Sequence, residues 1–343
     1  MSNLQIGLAV VGGLVLAGVV AQGAWASRRN APRQATPEEP REPQPHEGIE
    51  PGLDEAAFEV AHFPVPTAEK RLMMDALIDV IAPIALDNTV YGDAALAAMP
   101  PTRRVGSKLF SIEGMNDTSR RWETPQAGQR YSAFQAGVQL ANRSGALNEI
   151  EYSEFVMKTQ AFSDAIGGTP DFPDMLDEVA RGRELDQFAS AHDAQLDFFV
   201  RARHSAWSPG YVQQNAAQLG FVAGALPGRM VLPAPVAGLP PLLSLNFDTQ
   251  AALAEDPAQS AIREITLGLD VAQVDRGEQP FERMRDAAQA LALAMDGVVT
   301  DSNGVPLAPE AMAVFAAELQ GMYNTLDERD LSAGSALARR LFS

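Results

Sequence analysis

Four histidines, His46, His62, His192 and His204, and no cysteine are the sequence's whole supply of imidazole and thiol ligands. Without cysteine there is no disulfide, thiolate nucleophile, Cys-ligated zinc or iron–sulfur cluster. His192 and His204 flank one predicted strand, but neither has a partner at ligand spacing. They read as surface or capping residues. Paired acids occur as Asp171 with Asp174 and Asp296 with Asp301. Both pairs fall at predicted helix ends and turns, where aspartate is favoured structurally. No nucleophile elbow, phosphate loop, dinucleotide turn or HExxH helix is found. Gly167-Gly168 is too short for a phosphate cradle. The sequence therefore predicts no catalytic residue, no metal site and no cofactor, and the protein is not expected to be an enzyme.

What remains is binding, and charge narrows the partner. The 44 acidic residues outnumber the 26 basic ones, for a net charge of −18. General affinity for nucleic acid needs clustered positive charge, so no nucleic-acid partner is expected. Hydrophobic residues make up 46% and aromatics 7% of the chain. That predicts real cores, rich in Ala, Leu and Val.

The elements that would position a binding surface begin with a membrane segment. Leu4 to Ala26 carries no charged residue. As a helix its 23 residues would span about 34 Å, enough for a bilayer core. Trp25 sits at its end, and Arg28, Arg29 and Arg33 follow. The positive-inside rule then sets the N-terminus outside and the remainder in the cytoplasm, with the cytoplasmic membrane bound through residues 4–26. A cleaved signal peptide is the competing reading, since Ala24-Trp25-Ala26 resembles a cleavage site. It would make the chain a periplasmic or secreted protein that binds a peptide or small ligand. Against it, the arginines follow the apolar run instead of preceding it.

Residues 28–66 are rich in Pro and Glu, with prolines at 32, 37, 40, 43, 45 and 51. Such a stretch reads as a disordered, semi-stiff linker. Globular composition follows in 67–193 and 194–330, with a tail at 331–343 in which Arg339-Arg340 reads as a frayed basic end. In the first block, strands are predicted near 76–86, 108–113 and 131–141. Helices are predicted at 92–99, 149–166 and 172–192, the last capped by Asp171. In the second, strands are expected at 195–203, 221–232, 242–247, 262–272 and 297–307, the last as a hairpin turning at Asn303-Gly304. Helices are expected at 209–219, 281–295 and from Pro309. The order is β-α-β-β-β-α-β-β-α, an α+β class: an antiparallel sheet with helices on one face and the other face free. The first block follows a shortened version of the same order, which leaves open a duplication, with 67–193 a diverged copy of 194–330.

At this point the residues resemble the ZipA family, the bacterial cell-division membrane anchors of FtsZ. Phe281–Tyr323 (FERMRDAAQALALAMDGVVTDSNGVPLAPEAMAVFAAELQGMY) is similar to that family's long helix, small hairpin and last helix. Met295–Asp301 (MDGVVTD) resembles its helix-to-hairpin junction, and Pro309-Glu310 the start of its last helix. Leu219–Leu226 and Pro241–Leu245 are similar to its helix-to-strand turn and next strand. The likeness covers about 194–330 and the N-terminal layout. Residues 67–193 lie outside the family's usual design. The resemblance implies a septal adaptor that tethers FtsZ polymers to the inner membrane and binds the FtsZ C-terminal tail on the open sheet face. By strand alternation that face should carry Asp197, Phe199, Arg201, Leu226, Asn246, Thr266, Gly268 and Asp270. The partner-binding residues expected are Phe199, Arg201, Leu226, Asn246, Thr266 and Gly268. Phe199 and Leu226 would be the apolar anchors, with Arg201 pairing an acidic group of the peptide.

Overall fold

The computed structural model describes residues 32–35 and 74–343. The expected membrane segment at 4–26, most of the linker, His46 and His62 lie outside the described residues. Among the described residues no helix is long and apolar enough to cross a membrane. The chain forms two compact units, each an antiparallel sheet backed by helices.

The first unit holds β1 (Asp79–Leu86), β2 (Val90–Tyr91), α1 (Gly92–Ala98), β3 (Arg104–Val105), β4 (Lys108–Asn116) and β5 (Trp122–Glu123). It continues with β6 (Arg130–Gln139), β7 (Ala141–Asn142), β8 (Gly145–Ala146), α2 (Glu149–Ile166), β9 (Gly168–Pro170) and α3 (Met175–His192). The sheet runs β3-β4-β6-β1-β9. Alternation in β1 drives it: Val80, Ala82 and Ile84 are buried and lie opposite Val138, Ala136 and Phe134 of β6. Helix α2 covers that face. Its Phe155 meets Phe110 at 6.1 Å and its Phe162 meets Phe134 at 5.4 Å, both edge to face. The core is thus aromatic where the composition predicts Ala, Leu and Val. A low chain-wide average hides a local concentration.

Two helix boundaries here follow from capping. Asn148 accepts from the N–H groups of Ile150 and Glu151, and Glu151 closes a capping box that starts α2 at the expected residue. Gly167, at φ 69°, ends it in the left-handed conformation that glycine adopts cheaply. Helix α3 starts later than the sequence suggests. Asp174 is the cap, not Asp171. The Asp171 N–H is held by Pro83 O at 2.9 Å, so the chain is still extended beside β1 at that point.

The second unit holds β10 (Gln195–Ala202), α4 (Pro209–Gln218), β11 (Val222–Ala223), β12 (Arg229–Leu232), β13 (Leu243–Asn246), α5 (Thr249–Ala252) and β14 (Glu264–Asp270). Next come α6 (Pro280–Met295), β15 (Gly297–Thr300) and the first residues of α7 (Pro309–Asp327). The sheet order is β11-β12-β13-β14-β10-β15. The single strand expected over 221–232 is a hairpin instead, turning at Leu226-Pro227-Gly228 with Gly228 at φ 77°. Helix α6 packs Phe281, Met284, Ala288, Leu291 and Met295 inward, and Phe281 meets Phe198 of β10 at 6.1 Å.

Four successive strands run in corresponding order in both sheets, β4-β6-β1-β9 and β13-β14-β10-β15. Helix α1 comes after β1 and the short β2, α4 comes directly after β10, and α2 and α6 precede the edge strands β9 and β15. The end of the chain belongs to the first unit and is not frayed. A short helix α8 (Ala336–Leu341) and the residue after it bury Leu341 and Phe342, and Arg340 pairs Asp79 through Nη1 and Nη2, the first at 2.9 Å.

Candidate functional site

Alternation decides which side chains face away from the helices in the second unit. On β10, Phe198 and Val200 point inward, so Asp197, Phe199 and Arg201 point out. On β14, Ile265, Leu267 and Leu269 are buried, which turns Thr266 and Gly268 outward. The register continues the face across β13, with Ser244 opposite Gly268 and Asn246 opposite Thr266. On β12 it reaches Val231 opposite Ser244 and Arg229 opposite Asn246. On β15 it ends at Val298, opposite Arg201. Five of the six expected residues, Phe199, Arg201, Asn246, Thr266 and Gly268, therefore share one face. Leu226 does not. It sits at the tip of the β11–β12 hairpin, 62% exposed.

The face is a polar trough. Gly268 matters because a Cβ there would sit 2.8 Å from Ser244 Oγ and 3.0 Å from Asp197 Oδ1. Asn246 Nδ2 donates to Ser244 Oγ at 3.5 Å. Desolvation raises the Asp197 carboxyl above its ordinary value. Arg201 is already committed. Its Nε donates to Glu264 Oε2 at 2.5 Å, its Nη2 to Ser302 O at 3.3 Å, and its guanidinium covers the Phe199 ring at 5.5 Å. It is therefore not the free cation that the sequence reading assigns to an acidic peptide group. Nor is Asp270 available to a ligand, because both its carboxylate oxygens accept from Arg143, at 2.7 and 2.8 Å.

The apolar surface lies at the sheet's edge. A groove of about 500 Å³ runs between the β11–β12 hairpin and the loop 233–241. Leu226, Val231, Val236 and Leu239 line it, with Pro233 and Pro241 as stiff walls and Arg229 beside them. Leu226, Val236 and Leu239 are 62%, 61% and 40% exposed, and Val222 on β11 is half exposed. Covering such side chains is worth roughly 1 kcal/mol each at about 25 cal/mol per Å². Polar contacts in the trough largely exchange one hydrogen bond for another with water. Apolar area that a ligand could cover is thus concentrated in the edge groove and polar groups in the trough. The groove exists because 221–232 folds as a hairpin and not as the single strand expected. The signal available was Pro and Gly recurring from Gly224 to Pro241, which breaks any long strand. Among the described residues no cluster of three His, Asp or Glu side chains could hold a metal ion.

The second unit thus carries an antiparallel sheet with helices on one face, a polar trough on the other and an apolar groove at the edge. Residues 247–318 match the family described as "ZipA, C-terminal FtsZ-binding domain". That segment runs from the end of β13 through β14, α6 and β15 into α7, and over it the chain is ZipA-like. No curated protein matches the chain. Among solved structures, the berberine bridge enzyme of Eschscholzia californica is matched at 9% identity with a TM-score of 0.16. The match covers 77% of this chain and 54% of that one, so this chain spans about half the length of that structure. At that score the likeness carries no argument about fold or chemistry.

Proposed function

We propose that the chain is a membrane-anchored adaptor of the cell-division septum that binds the C-terminal tail of FtsZ, without catalysis or cofactor. The observation that carries this reading is the family match over 247–318, whose strand β14 supplies the centre of the open face. Leu226, Val231, Val236 and Leu239 take the apolar side chains of the tail. Asp197, on the open face beside Gly268 with its carboxyl raised by desolvation, receives a basic one. The charge-free segment 4–26 and the arginines after it support a single span with the C-terminal units in the cytoplasm. The shared strand order of the two sheets supports reading the first unit as a diverged copy of the second.

The test is retention of FtsZ by the full chain, compared with FtsZ lacking its tail. Tail-dependent retention is expected. Leu226→Asp is expected to weaken it about 5- to 30-fold, the loss of 1–2 kcal/mol typical of an anchor residue. Retention that ignores the tail overturns the reading.

A further inference from the structure

Residues 32–35 hold a defined place on the second unit. The Arg33 N–H donates to Ala206 O at 2.7 Å, and the Ser208 N–H donates to Arg33 O at 2.8 Å. Arg33 and Trp207 thus pair as parallel β-bridge partners, and Trp207 pairs in turn with Ile262 on its other side. The Arg33 guanidinium reaches Asp296 Oδ2 at 3.0 Å. Asp296 is fixed for the purpose. It caps α6 in a left-handed conformation, φ 57°, which turns its side chain out between α6 and β15. His204 Nδ1 lies 3.1 Å from the same oxygen. His204 chiefly, with Arg33 and Arg203, holds the Asp296 carboxyl below its usual range. Trp207 is fully buried, with its indole N–H on Met295 O at 2.7 Å, so the receiving strip is rigid.

The slot therefore reads three things: a backbone N–H, a backbone C=O two atoms on, and a cationic side chain. That is strand addition with one charged specificity contact. A surface ion pair by itself contributes little. The two backbone bonds on either side of Trp207 fix the register.

We propose that this strip is a docking site for the chain's own juxtamembrane segment, and that its occupancy sets how far the second unit stands from the membrane. The distance claim rests on reading residues 4–26 as the anchor. With Arg33 seated, only residues 27–31 separate that anchor from the docked segment, a reach of about 20 Å at 3.3–3.6 Å per residue. Released, the second unit is held to the anchor only through the first unit and the 47 residues 27–73, which alone would allow roughly 150 Å at polyproline rise.

The absence of cysteine makes this directly testable. A Cβ built at Gly210, in the first turn of α4, lies 3.7 Å from Ala35 Cβ, close to the disulfide mean of about 3.8 Å. The full chain carrying Ala35→Cys and Gly210→Cys should form an intramolecular disulfide quickly under mild oxidant. Adding Arg33→Asp sets two carboxylates face to face and should slow closure about tenfold. In vesicles, energy transfer from a dye on Gly210→Cys to a membrane-surface acceptor should fall with Arg33→Asp. No disulfide, or equal rates with and without Arg33→Asp, overturns the docking site. Equal transfer in the two proteins overturns the distance claim. A chain that forms the disulfide but does not float with vesicles keeps the docking site and removes the anchor, which separates the two failures.

Discussion

Arg340 and Asp79 meet at the base of the first unit, with side chains 9% and 2% exposed. Gln139 Nε2 adds a bond to Arg340 O at 2.6 Å, so the last turn of the chain is tied into β1 and β6 at once. Removing one partner of such a pair strands the other charge in the core, at a cost of about 3–5 kcal/mol. Arg340→Ala is expected to lower the urea midpoint of the first unit by an amount equivalent to that cost. An unchanged midpoint would show the pair to be ornamental. Tyr131 carries a second prediction. It is fully buried, accepts from the Gln126 N–H at 2.8 Å and donates to Glu123 at 3.0 Å. Burial pushes its hydroxyl up to about 12 from an ordinary 10. The folded value is the raised one, so this contribution is complete below pH 10 and is lost as pH rises from 10 towards 12. Melting temperature followed with tyrosinate absorbance should fall through that window. A flat profile would contradict the burial argument.

At the scale of elements, α2 depends on its first turn. Asn148 receives two backbone N–H groups there, and its own N–H reaches Glu151 Oε2 at 3.3 Å. Asn148→Ala is expected to cost about 1 kcal/mol, the usual value for a lost N-cap. Chemical unfolding will measure it, and no loss would mean that packing of Phe155 and Phe162 alone fixes the helix. The same element shows what the sequence makes legible. Asn148, Glu151 and Gly167 are local signals, and both boundaries of α2 follow from them. Alternation in β10, β13 and β14 is equally local, and it places Phe199, Arg201, Asn246, Thr266 and Gly268 on one face. What depends on distant residues is not legible. Glu264 captures Arg201 across strands, and Pro83 keeps Asp171 extended. Leu226 falls at a hairpin tip because Gly228 turns the chain, so the apolar anchor lies in the edge groove and not on the sheet. Asp79 reaches Arg340 over 261 positions of sequence, which no window reveals.

At the scale of the molecule, the proposed function is one of holding a polymer at a surface. Under that proposal, confinement to a membrane surface and repeated tails on an FtsZ polymer would let weak contacts add by effective concentration. A modest groove, with anchors each worth about 1 kcal/mol, then suffices. The central claim is that the second unit takes the FtsZ tail along its edge groove and trough. Amide hydrogen exchange of the full chain with and without the FtsZ tail peptide tests it most directly. The account predicts slowed exchange confined to β11, β12, the loop 233–241 and the outward positions of β13 and β14, with Leu226→Asp abolishing the slowing at equal peptide. Unchanged exchange at saturating peptide, or protection located away from those residues, would contradict it.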